Sequence, residues 1–244
     1  RFHGWQKQKG IPTLHDMVDK TLSFVFKDKI YKTIGVGRTD AKVSAHNYFF
    51  QLFLKESFDT IKLLEEFNYN TSADIRAICI TEVNAAFNII NHPKVKEYHY
   101  YFSYGEKCHP FAAPFLVALP EYIDIEKMKL GAKLFQGVHH FQKYCTKPSE
   151  NTQFKREIIS CEIKENSVLT ASFFPEKSYV FIVKGKGFLR YQIRLMMATL
   201  FELGKGNLTF AFIENSLKEN NDRMYLRNIA PASGLQLFKV SIEL

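Results

Sequence analysis

The segment Gly35-Val-Gly-Arg-Thr-Asp-Ala-Lys-Val-Ser-Ala-His46 concentrates side chains that can do chemistry. Gly35 and Gly37 let the backbone turn tightly and set Arg38, Thr39 and Asp40 together on a connecting loop. An arginine two residues from an aspartate can hold the carboxylate ionised or orient a phosphate. The same residues also suit a plain Asx turn, in which Asp40 bonds its own backbone. The GxxxxGKS spacing of a P-loop is absent, so a nucleotide-triphosphate cradle is not expected.

Two other segments carry chemistry. In Lys96-Glu-Tyr-His-Tyr-Tyr-Phe-Ser-Tyr104, strand alternation puts Tyr98, Tyr100, Phe102 and Tyr104 on one face. Such a row can stack nucleobases, although core packing is its commoner use and is expected here for all but one. Arg190 and Arg194 stand four apart, on one face of a helix. They read either as surface cations or as one cation turned toward a buried carboxylate. His139 and His140 are adjacent and point in different directions, and no second cluster has ligand spacing, so no metal is expected. Neither a Ser/His/Asp set nor a GxSxG elbow is present to support serine-hydrolase chemistry.

The 244 residues carry 33 Lys and Arg against 25 Asp and Glu, a net charge of +8 that favours polyanionic partners. The excess is uneven. From Lys184 to Arg227 the basic residues are Lys184, Lys186, Arg190, Arg194, Lys205, Lys218, Arg223 and Arg227, against Glu202, Glu214, Glu219 and Asp222. A phosphate-binding face is expected there. The four cysteines form no CxxC pair, which argues against structural zinc and a disulfide scaffold and for reduced, cytoplasmic thiols. No window approaches the roughly 20 apolar residues needed to span a bilayer. The opening Arg-Phe-His-Gly-Trp lacks the layout of a signal peptide.

These segments need elements to position them. Leu14, Met17, Val18, Leu22 and Val25 predict a helix after Pro12, and Lys32 to Gly37 a short strand. Strands are expected over His46 to Leu54, Arg76 to Val83 and Lys96 to Tyr104, with a short helix over Ile61 to Phe67. Periodicity lapses from Gly105 to Pro114, which sets a boundary between residues 1–104 and 105–244. Beyond it, a helix capped by Asp124 should bury Met128, Ala132 and Phe135 and stop at Gly137. Arg156 to Phe174 reads as a hairpin turning near Lys164 to Ser167, followed by a strand at Tyr179 to Val183. A helix from about Arg190 to Leu203 and a last strand from Leu235 to Ile242 complete the pattern. The mixture, without strict βαβ order, predicts an α+β fold with mainly antiparallel sheets.

Seven segments resemble, in order, the successive motifs of the TruA-type tRNA pseudouridine synthases. They are Phe2-His-Gly-Trp-Gln-Lys-Gln8, Gly37-Arg-Thr-Asp-Ala41, Asp74-Ile-Arg76, Lys96-Glu-Tyr-His-Tyr100, Gly137 to Phe141, Phe188-Leu-Arg-Tyr-Gln-Ile-Arg194 and Ala230-Pro-Ala-Ser-Gly-Leu-Gln-Leu237. The resemblance implies isomerisation of uridine to pseudouridine in tRNA, most often in the anticodon arm at tRNA positions 38 to 40. By position it makes Asp40 the catalytic carboxylate and Arg38 the arginine that helps hold the nucleotide out of its stack. Tyr98 matches the tyrosine against the target base, Arg194 the partner of the carboxylate, and Leu235 or Leu237 the leucine closing the pocket. Two similar α/β subdomains flanking a basic RNA-binding cleft, a homodimer, and no cofactor or metal are implied as well. With Lys184, Lys186 and Arg190 on the basic face, tRNA is the expected partner. A non-catalytic tRNA-binding protein or chaperone of the same fold is the alternative, as is a generic single-strand RNA-binding domain. Three positions depart from the motifs: Lys42 stands where glycine is usual, Ser44 where histidine is usual, and His140 where aspartate is usual.

Overall fold

A computed structural model describes residues 2–27, 29–219, 226 and 228–242. The described elements are, in order, α1 (Leu14–Phe26), β1 (Tyr31–Gly35), β2 (Ser44–Ala45), β3 (Phe50–Leu54), α2 (Thr60–Asn70), β4 (Lys94–Tyr104) and β5 (Val117–Leu119). There follow α3 (Ile125–Lys133), β6 (Gly137–His140), β7 (Lys155–Glu165), β8 (Tyr179–Gly185), α4 (Gln192–Gly204), α5 (Phe210–Ser216) and β9 (Leu235–Ile242). The chain divides into two compact units, one within residues 1–42 and 48–93 with Ile242, the other within 43–47 and 94–241.

In the first unit, Thr13 starts α1 by accepting a hydrogen bond from the Asp16 amide, and Asp59 starts α2 by accepting from Ile61 and Lys62. Each helix turns an apolar stripe inward. Val18, Leu22 and Phe26 of α1 meet Leu63 and Phe67 of α2 and the indole of Trp5 in one buried cluster. Each such side chain contributes about 1.5–3 kcal/mol by leaving water. β1 and β3 pair antiparallel, with Gly35 opposite Phe50.

In the second unit, seven strands run β2-β9-β4-β8-β7-β6, with β5 attached to the end of β4. The pairs β4 with β8, β8 with β7 and β7 with β6 are antiparallel, whereas β2 with β9 and β5 with β4 are parallel. The fold is therefore α+β with antiparallel pairing dominant, as expected. Among the described residues the sheets have two and seven strands. α4 covers one face of β4, with Phe201 edge-on to both Tyr100 and Phe102. On the other face Tyr101 joins Leu116 and Val180 in a second apolar cluster. β4 is thus a central strand buried on both faces.

Several expectations change. The units divide one strand earlier than the boundary at 104/105, because residues 96–102 of β4 are laddered to β8. Arg76 to Val83 forms no strand, and Ile78 and Val83 are exposed. A β-branched run becomes a strand only where a neighbouring edge takes its hydrogen bonds. His46 to Leu54 is a strand only from Phe50. The hairpin partner of β7 is β8, not residues 168–174, because Asn166 accepts from the Val168 and Leu169 amides and turns the chain out of the ladder. α3 ends at Lys133, and Gly137 instead opens β6 at φ +108.

Candidate active site

In the first unit, Arg38 and Asp40 follow β1 on one loop, Arg38 exposed and Asp40 half-buried. The loop is braced along its length. The Val36 amide donates to the Phe49 carbonyl at 2.9 Å, and the Tyr48 hydroxyl to the Gly37 carbonyl at 2.5 Å. The Lys42 amide closes the far side by donating to the Phe2 carbonyl at 3.2 Å. Gly4 lies against the same loop at φ +82, where an added Cβ would collide with the Thr39 carbonyl oxygen. The N-terminal motif and the Arg38–Asp40 loop therefore shape one another, although 35 residues separate them in sequence.

Lys42, a departure from the resembled motif, has φ +64, in the left-handed region that glycine enters without penalty. Lys42→Gly should raise stability by about 0.5–1 kcal/mol, the left-handed penalty exceeding the freedom glycine adds to the unfolded chain. Thermal unfolding should show a rise of about 1–4 °C, and a fall would mean the lysine side chain holds the loop.

The other candidates lie in the second unit. Tyr98 on β4 is buried, its ring edge-on to Phe188 at 5.2 Å. Tyr100 and Phe102 are wholly buried core residues. Leu235 and Leu237 are buried on β9. Ser44, four residues after Asp40 in sequence, pairs with Gln236.

At the start of α4 the Arg194 Nε donates to the Ala230 carbonyl at 2.7 Å, and the Ala230 amide returns a bond to the Arg194 carbonyl at 3.2 Å. The Tyr100 hydroxyl donates to the Pro231 carbonyl at 2.9 Å. A Cβ on Gly234 would come within 2.8 Å of the Tyr101 carbonyl oxygen and 2.9 Å of the Tyr100 ring. The Ala-Pro-Ala-Ser-Gly-Leu run is thus a close-packed turn that ties β9 to β4 and to Arg194. The structure brings Arg38 and Asp40 together in one unit, and Arg190, Arg194 and the 230–234 turn together in the other.

The basic stretch is partly paired. Lys184 lies 3.2 Å from Glu97 and Lys186 3.3 Å from Glu157. The Lys186–Glu157 pair is exposed and contributes little, so an arriving phosphate can replace that carboxylate, whereas Glu97 is mostly buried and its bond with Lys184 is less easily displaced. Arg223 and Arg227 lie outside the described residues.

Glu97 also accepts from His99 Nε2 at 2.7 Å, and Tyr101 lies 3.0 Å from His99 Nδ1. Burial lowers the His99 pKa, against the raising effect of Glu97. Burial would raise the Glu97 carboxyl, but its bonds from His99 and Lys184 outweigh this and hold it below the usual value. A neutral His99 donating to Glu97 and accepting from Tyr101 satisfies all three groups. Composition gave no signal of this network.

Lys96, on the same face of β4 as Tyr98, is held at about 8 by burial and then by the neighbouring Lys94 charge, against an ordinary 10.5. Between those values the unfolded chain keeps a proton that the folded chain gives up, so the stability this group contributes rises with pH. Lys96→Met should stabilise the chain near pH 7, by at most about 3 kcal/mol. The gap in melting temperature should close from pH 8 to pH 10. A gap that does not change with pH would show that Lys96 keeps its proton.

Among the described residues, no helix is long and apolar enough to cross a membrane, and no group of three or more His, Cys, Asp or Glu could hold a metal. All four cysteines are free thiols.

Residues 132–241 match the family described as tRNA pseudouridine synthase. The tRNA pseudouridine synthase A of Thermodesulfovibrio yellowstonii is 30% identical over 246 residues, covering 98% of this chain and 94% of the relative. That of Dictyoglomus thermophilum is 30% identical, with coverage of 98% and 94%. That of Listeria monocytogenes strain HCC23 is 26% identical, with coverage of 99% and 94%. An α+β chain with this similarity along nearly its whole length belongs to the tRNA pseudouridine synthase family, a family of isomerases. Within it, the similarity is to the synthases named A.

Proposed function

We propose that this chain isomerises uridine to pseudouridine in the anticodon arm of tRNA, at positions 38 to 40, with Asp40 as the catalytic carboxylate. The similarity to synthases named A over 98% of the chain carries the reading. The reaction breaks the C1′–N1 glycosidic bond, turns the uracil and rejoins it through C5, while the C5 proton leaves and N1 gains one. No redox change and no external group enter, so the reading assigns no cofactor or metal. A carboxylate can attack C1′, add to the base at C6 or assist deprotonation at C2′, and each role needs it ionised. Arg194 is proposed as its counter-charge, Arg38 as the residue holding the flipped nucleotide, and Tyr98 with Leu235 or Leu237 as the apolar contacts to the base. Unstacking a nucleotide costs a few kcal/mol, which such contacts offset. Lys184, Lys186 and Arg190 are proposed to meet tRNA phosphates, giving a salt-dependent affinity. A homodimer in the cytoplasm, with the Asp40 loop in the N-terminal subdomain, completes the proposal.

Incubation with unmodified tRNA transcripts and no added cofactor, followed by carbodiimide primer-extension mapping, tests it. New pseudouridines confined to the anticodon arm are expected. Signals elsewhere would keep the reaction and move its target. Tight tRNA binding with no signal would leave a non-catalytic binder.

A further inference from the structure

Tyr191 caps α4 at φ 60 and ψ 8, the left-handed conformation that a bulky side chain rarely adopts. Its side chain makes no capping hydrogen bond, so capping does not account for the strain. Helix entry uses the Tyr191 backbone and the Gln192 side chain, not the Tyr191 ring. The Leu189 amide donates to the Gln192 side-chain oxygen at 2.8 Å, and the Leu195 amide to the Tyr191 carbonyl at 2.9 Å. What the left-handed turn does achieve is the placement of the ring. The guanidinium carbon of Arg194 lies 4.9 Å from the ring centroid and that of Arg190 lies 5.3 Å from it. Both distances are within the range in which an aromatic face attracts a cation.

We propose that Tyr191 is a positioning residue that orients the Arg194 guanidinium, an assignment that rests on the reading of Arg194 as part of the reaction machinery. A long arginine has many rotamers, and ordering it is entropically costly. Two of its contacts restrain the group from different sides. The bond from Nε to the Ala230 carbonyl at 2.7 Å holds one edge of the group, and the Tyr191 ring limits how the plane can swing about that bond. Backbone strain persists where surrounding structure over-determines it, and such strain clusters at functional sites. The Tyr191 hydroxyl has no part in this, so the ring alone should suffice.

The test uses Tyr191→Phe, Tyr191→Leu and Tyr191→Gly, each in the wild-type chain and in Arg194→Lys. Single-turnover pseudouridine formation on a tRNA transcript is followed, together with tRNA affinity and thermal unfolding. Tyr191→Phe should stay within about twofold of wild type, while Tyr191→Leu and Tyr191→Gly should slow the step about tenfold with affinity little changed. Tyr191→Gly should be slow without being less stable, since it relieves the left-handed strain. In Arg194→Lys, the same changes should slow the step by no more than about twofold further. A loss of rate that is undiminished in Arg194→Lys, or no loss at all, overturns the proposal. Nuclear magnetic resonance of the Arg194 Nε–H gives a readout independent of turnover, with increased mobility expected in Tyr191→Leu. An equally rigid Arg194 in that variant overturns the positioning role. Absence of pseudouridine formation by the wild-type chain, with Arg194 loosened as expected, overturns the functional reading instead.

Discussion

Asp40→Asn should fold and bind tRNA like the wild-type chain, yet form pseudouridine at least about a thousandfold more slowly. Asparagine has nearly the shape of aspartate and can fill the same half-buried place on the loop. It has no anionic oxygen to attack C1′ or C6, or to take a proton at C2′. The loop should keep its form, because its bracing runs through the Val36, Gly37 and Lys42 backbone rather than through the carboxylate alone. Single-turnover release of tritium from tRNA labelled at uracil C5 measures the rate, and thermal unfolding checks that the fold is unaltered. A variant keeping a tenth of the wild-type rate would remove Asp40 from the chemistry and leave the proposed mechanism without its centre.

Gly4→Ala should lower both stability and rate. At φ +82 an alanine is strained whatever the space, and its methyl would meet the Thr39 carbonyl oxygen, which is backbone and cannot swing aside. The Asp40 carbonyl oxygen lies 3.3 Å from the same point. Relief requires either the N-terminal segment or the loop to move. The segment is pinned by bonds from the Leu14 amide to the Gly4 carbonyl at 3.0 Å and from the His3 amide to the Pro12 carbonyl at 2.9 Å. The loss should be about 2–4 kcal/mol, a fall of roughly 5–10 °C in melting temperature. A displacement of about 1 Å in a reacting group can slow catalysis about a hundredfold, and a fall of that order is expected well below the melting transition. An unchanged rate in the folded variant would show that Gly4 serves stability and not the placement of Asp40.

Much of the local structure was legible because its causes are local. The stripe from Leu14 to Val25 reads as a helix from spacing alone, and α1 forms with Val18 and Leu22 buried. Asp124 was readable as a cap because capping needs only a side-chain oxygen and an amide three residues on, and it accepts from Lys127. Strands were less legible. Lys96 to Tyr104 and Arg76 to Val83 look alike in composition, but only the first finds neighbours on both edges. The short β5 and β6 and the helix α5 have too few residues to show a period.

The sequence by itself determined the family, through seven ordered motifs, and singled out Asp40, because motif order and residue type survive without coordinates. The tertiary structure alone decided what those motifs do to one another within each unit. It set Gly4 against Thr39, Gly234 against Tyr100, the Arg194 guanidinium over the Tyr191 ring, and Glu97 between Lys184 and His99. Each of these depends on backbone angles or on partners brought together by folding. Short-range periodicity and capping carry no information about such meetings, because they are set by the packing of whole elements.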